Sequence, residues 1–232
     1  MDFIGQVLSE AFQMILSFDP ALGRVVGLTL IVSAIATILG VVVGVPLGVS
    51  LALGRYRGRS LIRLAVHVGM GLPPVLVGLF LLLLFWDQGP FGGLGLVFTP
   101  TAMVIAQFLL ATPIAAGVTA GAVSGLPPAA LEQLEALRLR RWLKGRVAVV
   151  EAGSGVAAAV VASFGRVIAE VGAVLIIGGN ILDETRVLTT LIVQEARQAR
   201  FGAAVAAGII LLALSLVVNL ALSRWGQRPV SP

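Results

Sequence analysis

The sequence predicts an all-α, polytopic membrane protein, and three observations carry that prediction. Mean hydropathy is +1.05 over 232 residues. Hydrophobic residues make up 58% of the chain and charged residues only 12%, whereas a soluble domain carries about 25% charged residues. Five long stretches hold no charge, or almost none, between clusters of Arg and Lys. About twenty helical residues cross the ~30 Å of hydrocarbon in a bilayer, so this length accommodates the spans but no soluble catalytic domain besides.

Composition also excludes several chemistries. Without a cysteine there are no disulfides, thiolate nucleophiles or Cys-based zinc sites. A single His67 cannot build a multi-histidine metal site, so no metal ligands and no catalytic residues are expected. The formal charge of +5 would suggest nucleic acid in a soluble protein. Here the basic residues have to be placed relative to a membrane first, and no nucleic-acid partner is expected.

The elements follow in chain order. The N-terminus, Met1-Asp2-Phe3-Ile4-Gly5, lacks the basic n-region of a secretory signal. Residues 1–20 are predicted to form an interfacial amphipathic helix. Ile4, Val7, Leu8, Phe12 and Ile15 recur at helical spacing, Gln6, Glu10 and Gln13 interrupt them, and Asp19-Pro20 ends the run. The transmembrane domain is expected over 21–228, with spans at 25–54, 64–86, 94–124, 155–181 and 203–222. Pro46 and Pro113 lie inside the first and third, Gly71-Leu72-Pro73-Pro74 breaks the second, and Arg166 and Glu170 sit in the fourth. Proline leaves a backbone carbonyl that a neighbouring helix or water must satisfy. Such interruptions favour a protein with a path through it over a simple anchor.

Charge asymmetry orients the spans. Arg55, Arg57, Arg59, Arg63, Arg138, Arg140, Arg141, Lys144, Arg146, Arg224 and Arg228 fall on one side with only Glu132, Glu135 and Glu151. The other side has Arg24, Arg186, Arg197 and Arg200 against Asp2, Glu10, Asp19, Asp87, Asp183, Glu184 and Glu195. Positive residues stay cytoplasmic, so the N-terminus is expected outside and the C-terminus in the cytoplasm. Tyr56, Trp86 and Trp225 fall at span ends, where interfacial aromatics belong. Gly40, Gly44 and Gly48 recur every four residues, as close helix packing within one subunit or a dimer seam requires.

The cytoplasmic connection at 125–153 is long and helix-prone. Pro127-Pro128 starts it, and Leu131, Leu134 and Leu137 are expected on one face. Glu132 and Glu135 precede Arg138, Arg140, Arg141 and Lys144, the order that complements a helix dipole. Gly145 is expected to break the run. Such a helix docks into a groove on a partner or lies on anionic lipid through its basic residues. In the fourth span, one charge at the helix centre costs about 2.5–3.5 kcal/mol. Arg166 and Glu170, four apart, are predicted on one helix face. They form either a structural ion pair or a polar element beside a translocation path.

Phe-x-Arg-x-x-x-Glu-x-Gly-Ala at 164–173, Gly-Asn-Ile at 179–181 and Thr-Arg-x-Leu at 185–188 resemble the permease subunit of ATP-binding-cassette importers for tetrahedral oxyanions. Ile168-Ala169-Glu170-Val171-Gly172-Ala173-Val174, followed by Gly178-Gly179-Asn180-Ile181 and Thr185-Arg186-Val187-Leu188-Thr189-Thr190, is most similar to the tungstate type. The resemblance implies a type I importer permease fold and a homodimer with lipid around it. Two cytoplasmic ATP-binding subunits would carry ATP and magnesium, and an external oxyanion-binding protein would deliver the substrate. The 125–153 connection would be the coupling element, through Leu131, Glu132, Leu134, Glu135, Ala136, Leu137, Arg138, Arg140 and Arg141. The family pattern there is Glu-Ala-Ala, three residues, Gly, nine residues, Ile-x-Leu-Pro. Glu135-Ala136-Leu137 matches only its opening, Arg141 occupies the glycine position, and Glu151-x-Gly153-Ser154 stands at the end.

The chain contains no Gly-x-x-x-x-Gly-Lys-Ser/Thr P-loop, so ATP hydrolysis is expected on another polypeptide. Ser163, Thr112, Asn180 and Gly172 are expected along the passage, with Arg166 and Glu170 as a gate or interhelix lock. A strongly basic site would retain a dianion that transport has to release. The segment at 182–200 is expected outside as a short amphipathic helix. A permease of the same architecture for molybdate, sulfate or phosphate is the nearest alternative. An ATP-independent channel or secondary transporter would predict inverted repeats, and none is visible. For a non-transporting scaffold the kinked spans and buried charges have no purpose.

Overall fold

The computed structural model describes residues 3–17, 20–137 and 139–226, and every regular element among them is helical. Asp2, Asp19, Arg138 and Arg228, and the side chain of Trp225, lie outside the description. Helix α1 (Phe3–Ser17) buries only Ala11 and leaves Phe3, Ile4, Leu8, Phe12 and Leu16 exposed. Helix α2 (Pro20–Leu53) has 34 residues. At 1.5 Å per residue it spans about 50 Å, more than the hydrocarbon requires, and it continues through Pro46.

Helix α3 (Arg59–Met70) begins after Gly58, whose φ of 87° suits glycine. Helix α4 (Pro74–Phe85) follows the break at Gly71-Leu72-Pro73, and a 3-10 turn at Gly92–Leu94 leads to α5 (Pro100–Ser124). The order then runs α6 (Pro128–Ala136), α7 (Arg141–Glu151), α8 (Gly153–Ile168), α9 (Gly172–Gly178), α10 (Leu188–Arg197) and α11 (Phe201–Gly226). Among the described residues, three helices are long and apolar enough to cross a membrane: α2, α5 and, over Phe201–Leu222, α11. The count rises to five if each bent pair, α3 with α4 and α7 with α8, is one span.

Two departures from the expected layout have local causes. Gly145 does not break the cytoplasmic run: α7 passes through it, and the interruption comes at 137–140, where Arg140 is extended. Glycine inside a helix costs only about 1 kcal/mol, and here it allows a close approach, since a Cβ would lie 3.3 Å from Val49 Cγ1. The stretch expected as one span at 155–181 is two helices separated at 169–171. The Glu170 carboxylate accepts a hydrogen bond from the Ala173 N–H at 3.1 Å and so starts a new helix instead of continuing the old one.

The chain forms two compact units. Unit one comprises 1–36, 73–107 and 168–218; unit two comprises 37–72, 108–167 and 219–232. In unit one, α4 packs along α9, and a core of Leu22, Val25, Leu188 and Ala207 joins α2, α10 and α11. In unit two the glycine stripe lies against α5. A Cβ at Gly40 would come within 2.6 Å of Ala111 Cβ, and one at Gly44 within 2.6 Å of Ala115 Cβ. Close packing inside the subunit therefore accounts for this stripe.

Candidate functional site

The α6–α7 element is built onto unit two by one face. Pro128 opens α6 at a position that needs no N–H and has its φ already set. Leu134 then enters a core formed with Val49 and Val123, at the ends of α2 and α5, and with Ala148 and Ala152. Leu131 is half-buried, while Glu132, Glu135, Ala136, Leu137, Arg140 and Arg141 are exposed. The three leucines expected on one face do not share it, because α6 ends at Ala136 and Leu137 turns outward at 56% exposure. Glu135 lies 3.6 Å from Arg55 and 3.9 Å from Lys144. The element is thus anchored by a buried leucine and presents a charged outer surface.

The sequence counted Arg59 and Arg63 only as charges, but they close the end of α2. Arg59 donates from Nε to the Leu51 carbonyl at 2.8 Å and from Nη2 to the Ala52 carbonyl at 3.1 Å. Arg63 Nη2 donates to Leu51 at 3.3 Å. The last carbonyls of a helix lack intrahelical partners, and a guanidinium satisfies them while complementing the negative end of the dipole.

The residues expected along a passage divide between the units. Thr112, Ser163 and Arg166 belong to unit two. Ser163 is fully buried; its hydroxyl donates to Ala159 at 2.8 Å and approaches the Ala111 carbonyl at 3.5 Å, next to Thr112. Thr112 donates to Phe108 at 2.8 Å. Both hydroxyl protons are therefore engaged by backbone in this conformation. Arg166 is half-buried in the last turn of α8. The helix stops two residues later, so the four-residue spacing to Glu170 does not place the two on one continuous helical face.

Glu170, Gly172 and Asn180 belong to unit one, at the two ends of α9. Glu170 is 4% exposed and caps the helix. Gly172 has no room for a side chain, since a Cβ would lie 2.6 Å from Val75 Cγ2. Gly78 on α4 is equally tight, its Cβ position 2.8 Å from Ala173 Cα. Asn180, at φ 54°, donates from Nδ2 to Gln194 Oε1 at 2.6 Å and accepts at Oδ1 from Arg186 Nε at 3.3 Å.

A set of buried threonines, which the sequence reading missed, completes this block. Thr185 donates to the Gly178 carbonyl at 2.5 Å and accepts from the Ile181 N–H at 2.9 Å. Thr189 donates to the Glu170 carbonyl at 2.9 Å. Thr29 on α2 accepts from the Leu188 N–H at 2.9 Å, and Thr190 accepts from the Val187 N–H at 3.1 Å. Thr185, Thr189 and Thr190 stand within the motif that carries the family resemblance, but the motif does not give their backbone partners, and Thr29 has no such signal. Among the described residues, no group of three or more His, Cys, Asp and Glu could hold a metal ion.

Residues 44–228, which include α3 to α11 complete, match the family model of the binding-protein-dependent transport system inner membrane component. The chain belongs to this family. The permease is 39% identical over 178 residues to the probable anion ABC transporter permease protein of Haloferax volcanii, covering 75% of this chain and 77% of that one. It is 33% identical over 220 residues to the tungstate uptake system permease protein TupB of Peptoclostridium acidaminophilum, covering 94% and 96%. In three dimensions the permease is similar to a chain of a bacterial ABC transporter involved in the import of the acidic polysaccharide alginate. The TM-score is 0.72 with 19% identity, covering 95% of this chain and 84% of the other. That likeness establishes the fold, the all-α type I importer permease. The chain is therefore a membrane transport component and not an enzyme.

Proposed function

We propose that the permease carries a tetrahedral oxyanion, tungstate in particular, across the cytoplasmic membrane as the transmembrane part of an ATP-binding-cassette importer. The geometry that carries this reading is the α6–α7 pair. Its inner face is fixed by Leu134 to the ends of two spans, and Glu132, Leu137, Arg140 and Arg141 remain outside for another chain. The substrate assignment rests on the near-full-length likeness to the tungstate permease, and the Haloferax relative bears a name for anions in general.

In this proposal two copies of the chain pair with each other, and two cytoplasmic ATP-binding subunits hydrolyse ATP with magnesium. An external binding protein delivers the anion. The N-terminus is outside and the C-terminus cytoplasmic. Supporting that orientation, Lys and Arg are concentrated in the connections from Arg55 to Arg63 and from Arg140 to Arg146 and at Arg224, the side that the bias of basic residues assigns to the cytoplasm. Closure of the ATPase pair pushes α6 and α7, and unit two follows because they share its core. Two boundaries between the units, at 72/73 and 167/168, coincide with or adjoin the breaks at 71–73 and 169–171. These breaks are the hinges at which the passage opens alternately to each side. Arg166 locks helices across one hinge, while Ser163, Thr112, Gly172 and Asn180 lie along the path. Their neutral groups suit release of a dianion better than a cluster of arginines would.

Reconstitution of the permease with its ATPase and binding protein tests this reading. Tungstate-loaded binding protein is expected to stimulate ATP turnover more than molybdate- or sulfate-loaded protein. Equal stimulation by all three would remove tungstate specificity, and no stimulation by any would remove the importer.

A further inference from the structure

At the cytoplasmic end of unit two, a cavity of about 290 Å³ opens between the last residues of α2 and α5 and the helices α6 and α7. Arg55, Arg59 and Lys144 line it with a single acid, Glu135, so it carries excess positive charge. Its remaining wall is Ala52, Leu53, Val123, Ser124 and Leu131, mostly apolar. The contacts already made there are incomplete. Glu135 reaches Arg55 and Lys144 only at 3.6 and 3.9 Å, beyond good hydrogen-bond length. Two nitrogens of Arg59 hold carbonyls of α2, and Arg59 also lines the cavity.

Depth selects the kind of anion. Leu53 and Ser124 are the final residues of two helices long and apolar enough to span a membrane, and Arg55 and Arg59 follow the first, as expected of a span end near the headgroups. Tyr56 and Trp142, 38% and 65% exposed, flank it in sequence, and amphipathic rings of this kind anchor at the same level. Basic pockets between spans on the cytoplasmic side suit anionic headgroups.

We propose that this cavity binds the headgroup of an anionic phospholipid of the inner leaflet, its phosphate received by Arg55, Arg59 and Lys144 and its glycerol carbons by Leu53 and Leu131. The proposal rests on the cytoplasmic orientation given above. The phosphate competes with Glu135 for the same cations. Lipid binding therefore releases α6 from its ion pairs and makes the coupling helix responsive to leaflet composition.

The test is native mass spectrometry of the permease from nanodiscs of phosphatidylcholine containing phosphatidylglycerol, with parallel samples in inorganic phosphate. Retention of phosphatidylglycerol is expected to fall several-fold in Arg55→Ala/Lys144→Ala and to rise in Glu135→Gln. Arg57→Ala, a loop charge outside the cavity, is expected to match the parent. Unchanged retention in the double variant, or an equal fall in Arg57→Ala, overturns the proposal. Displacement of the lipid by millimolar inorganic phosphate would assign the site to a free anion and also overturn it. Accessibility of Arg57→Cys to an impermeant thiol reagent in sealed cells reports the orientation separately. Labelling from outside would refute the orientation whatever lipid is retained.

Discussion

The α6–α7 pair and the block running from Glu170 through α10 are held by opposite kinds of bonding. In the pair, Leu134 of α6 and Ala148 of α7 enter a small core, and the ion pairs share an acid that is 60% exposed. Such pairs contribute about 0–1 kcal/mol each. The block is held by hydroxyls and a carboxylate that are nearly all buried, each with a backbone partner, and by glycines that let α4 and α9 touch. An unpaired group at such a place costs about 1–3 kcal/mol. The block therefore keeps one internal arrangement. The pair is more loosely attached at its surface, and in the proposed coupling its core contacts would pass displacement into unit two.

Substitutions should separate the two regions, and the largest effect is expected at Gly78. Gly78→Val places a side chain against the Ala173 backbone, which cannot give way as a flexible side chain would. Overpacking costs about 1–3 kcal/mol or more. Little folded protein is expected by size-exclusion chromatography, and a normal monodisperse yield would show that α4 and α9 are looser than described. Thr185→Val keeps the shape and removes both hydrogen bonds. A loss of about 2 kcal/mol is expected as a lower melting temperature in detergent, with Thr185→Ser close to the parent. Similar melting of all three proteins would take Thr185 out of the block's support.

Glu170 sharpens the comparison further. Glu170→Gln retains an oxygen for the Ala173 N–H, whereas Glu170→Ala removes the cap and is expected to cost about 1 kcal/mol. If the carboxylate also acts as a charge with Arg166, Glu170→Gln and Arg166→Ala each lower uptake while Glu170→Gln keeps its melting temperature. Normal uptake in both would remove the lock. The smallest stability effect is expected at Glu135. Glu135→Gln should change melting by no more than about 1 kcal/mol allows, and a large destabilisation would contradict the loose attachment of α6.

The same contrast explains what could be read from the chain alone. Long apolar runs gave away α2, α5 and α11, and Gly71-Leu72-Pro73-Pro74 marked the break before α4, because both signals are local. The split between α8 and α9 was hidden. Arg166 and Glu170 at four-residue spacing suit an uninterrupted helix, and only the observed hydrogen bond to Ala173 shows that Glu170 begins another. The threonine contacts escaped for a related reason. Thr29 meets the Leu188 N–H across 159 residues, and no pattern of neighbours encodes that distance. Gly145 misled because a helix tolerates glycine when a neighbouring side chain, here Val49, needs the space.

The absence of cysteine from the sequence offers a direct probe of the claim that α6–α7 is the surface another chain meets. Leu137→Cys would be the sole thiol, on an exposed residue at the end of α6. Maleimide labelling of the permease in nanodiscs should be fast when it is alone and strongly slowed when the ATP-binding subunits are bound. Labelling at the same rate with and without them, under conditions where the complex is intact, would contradict the account.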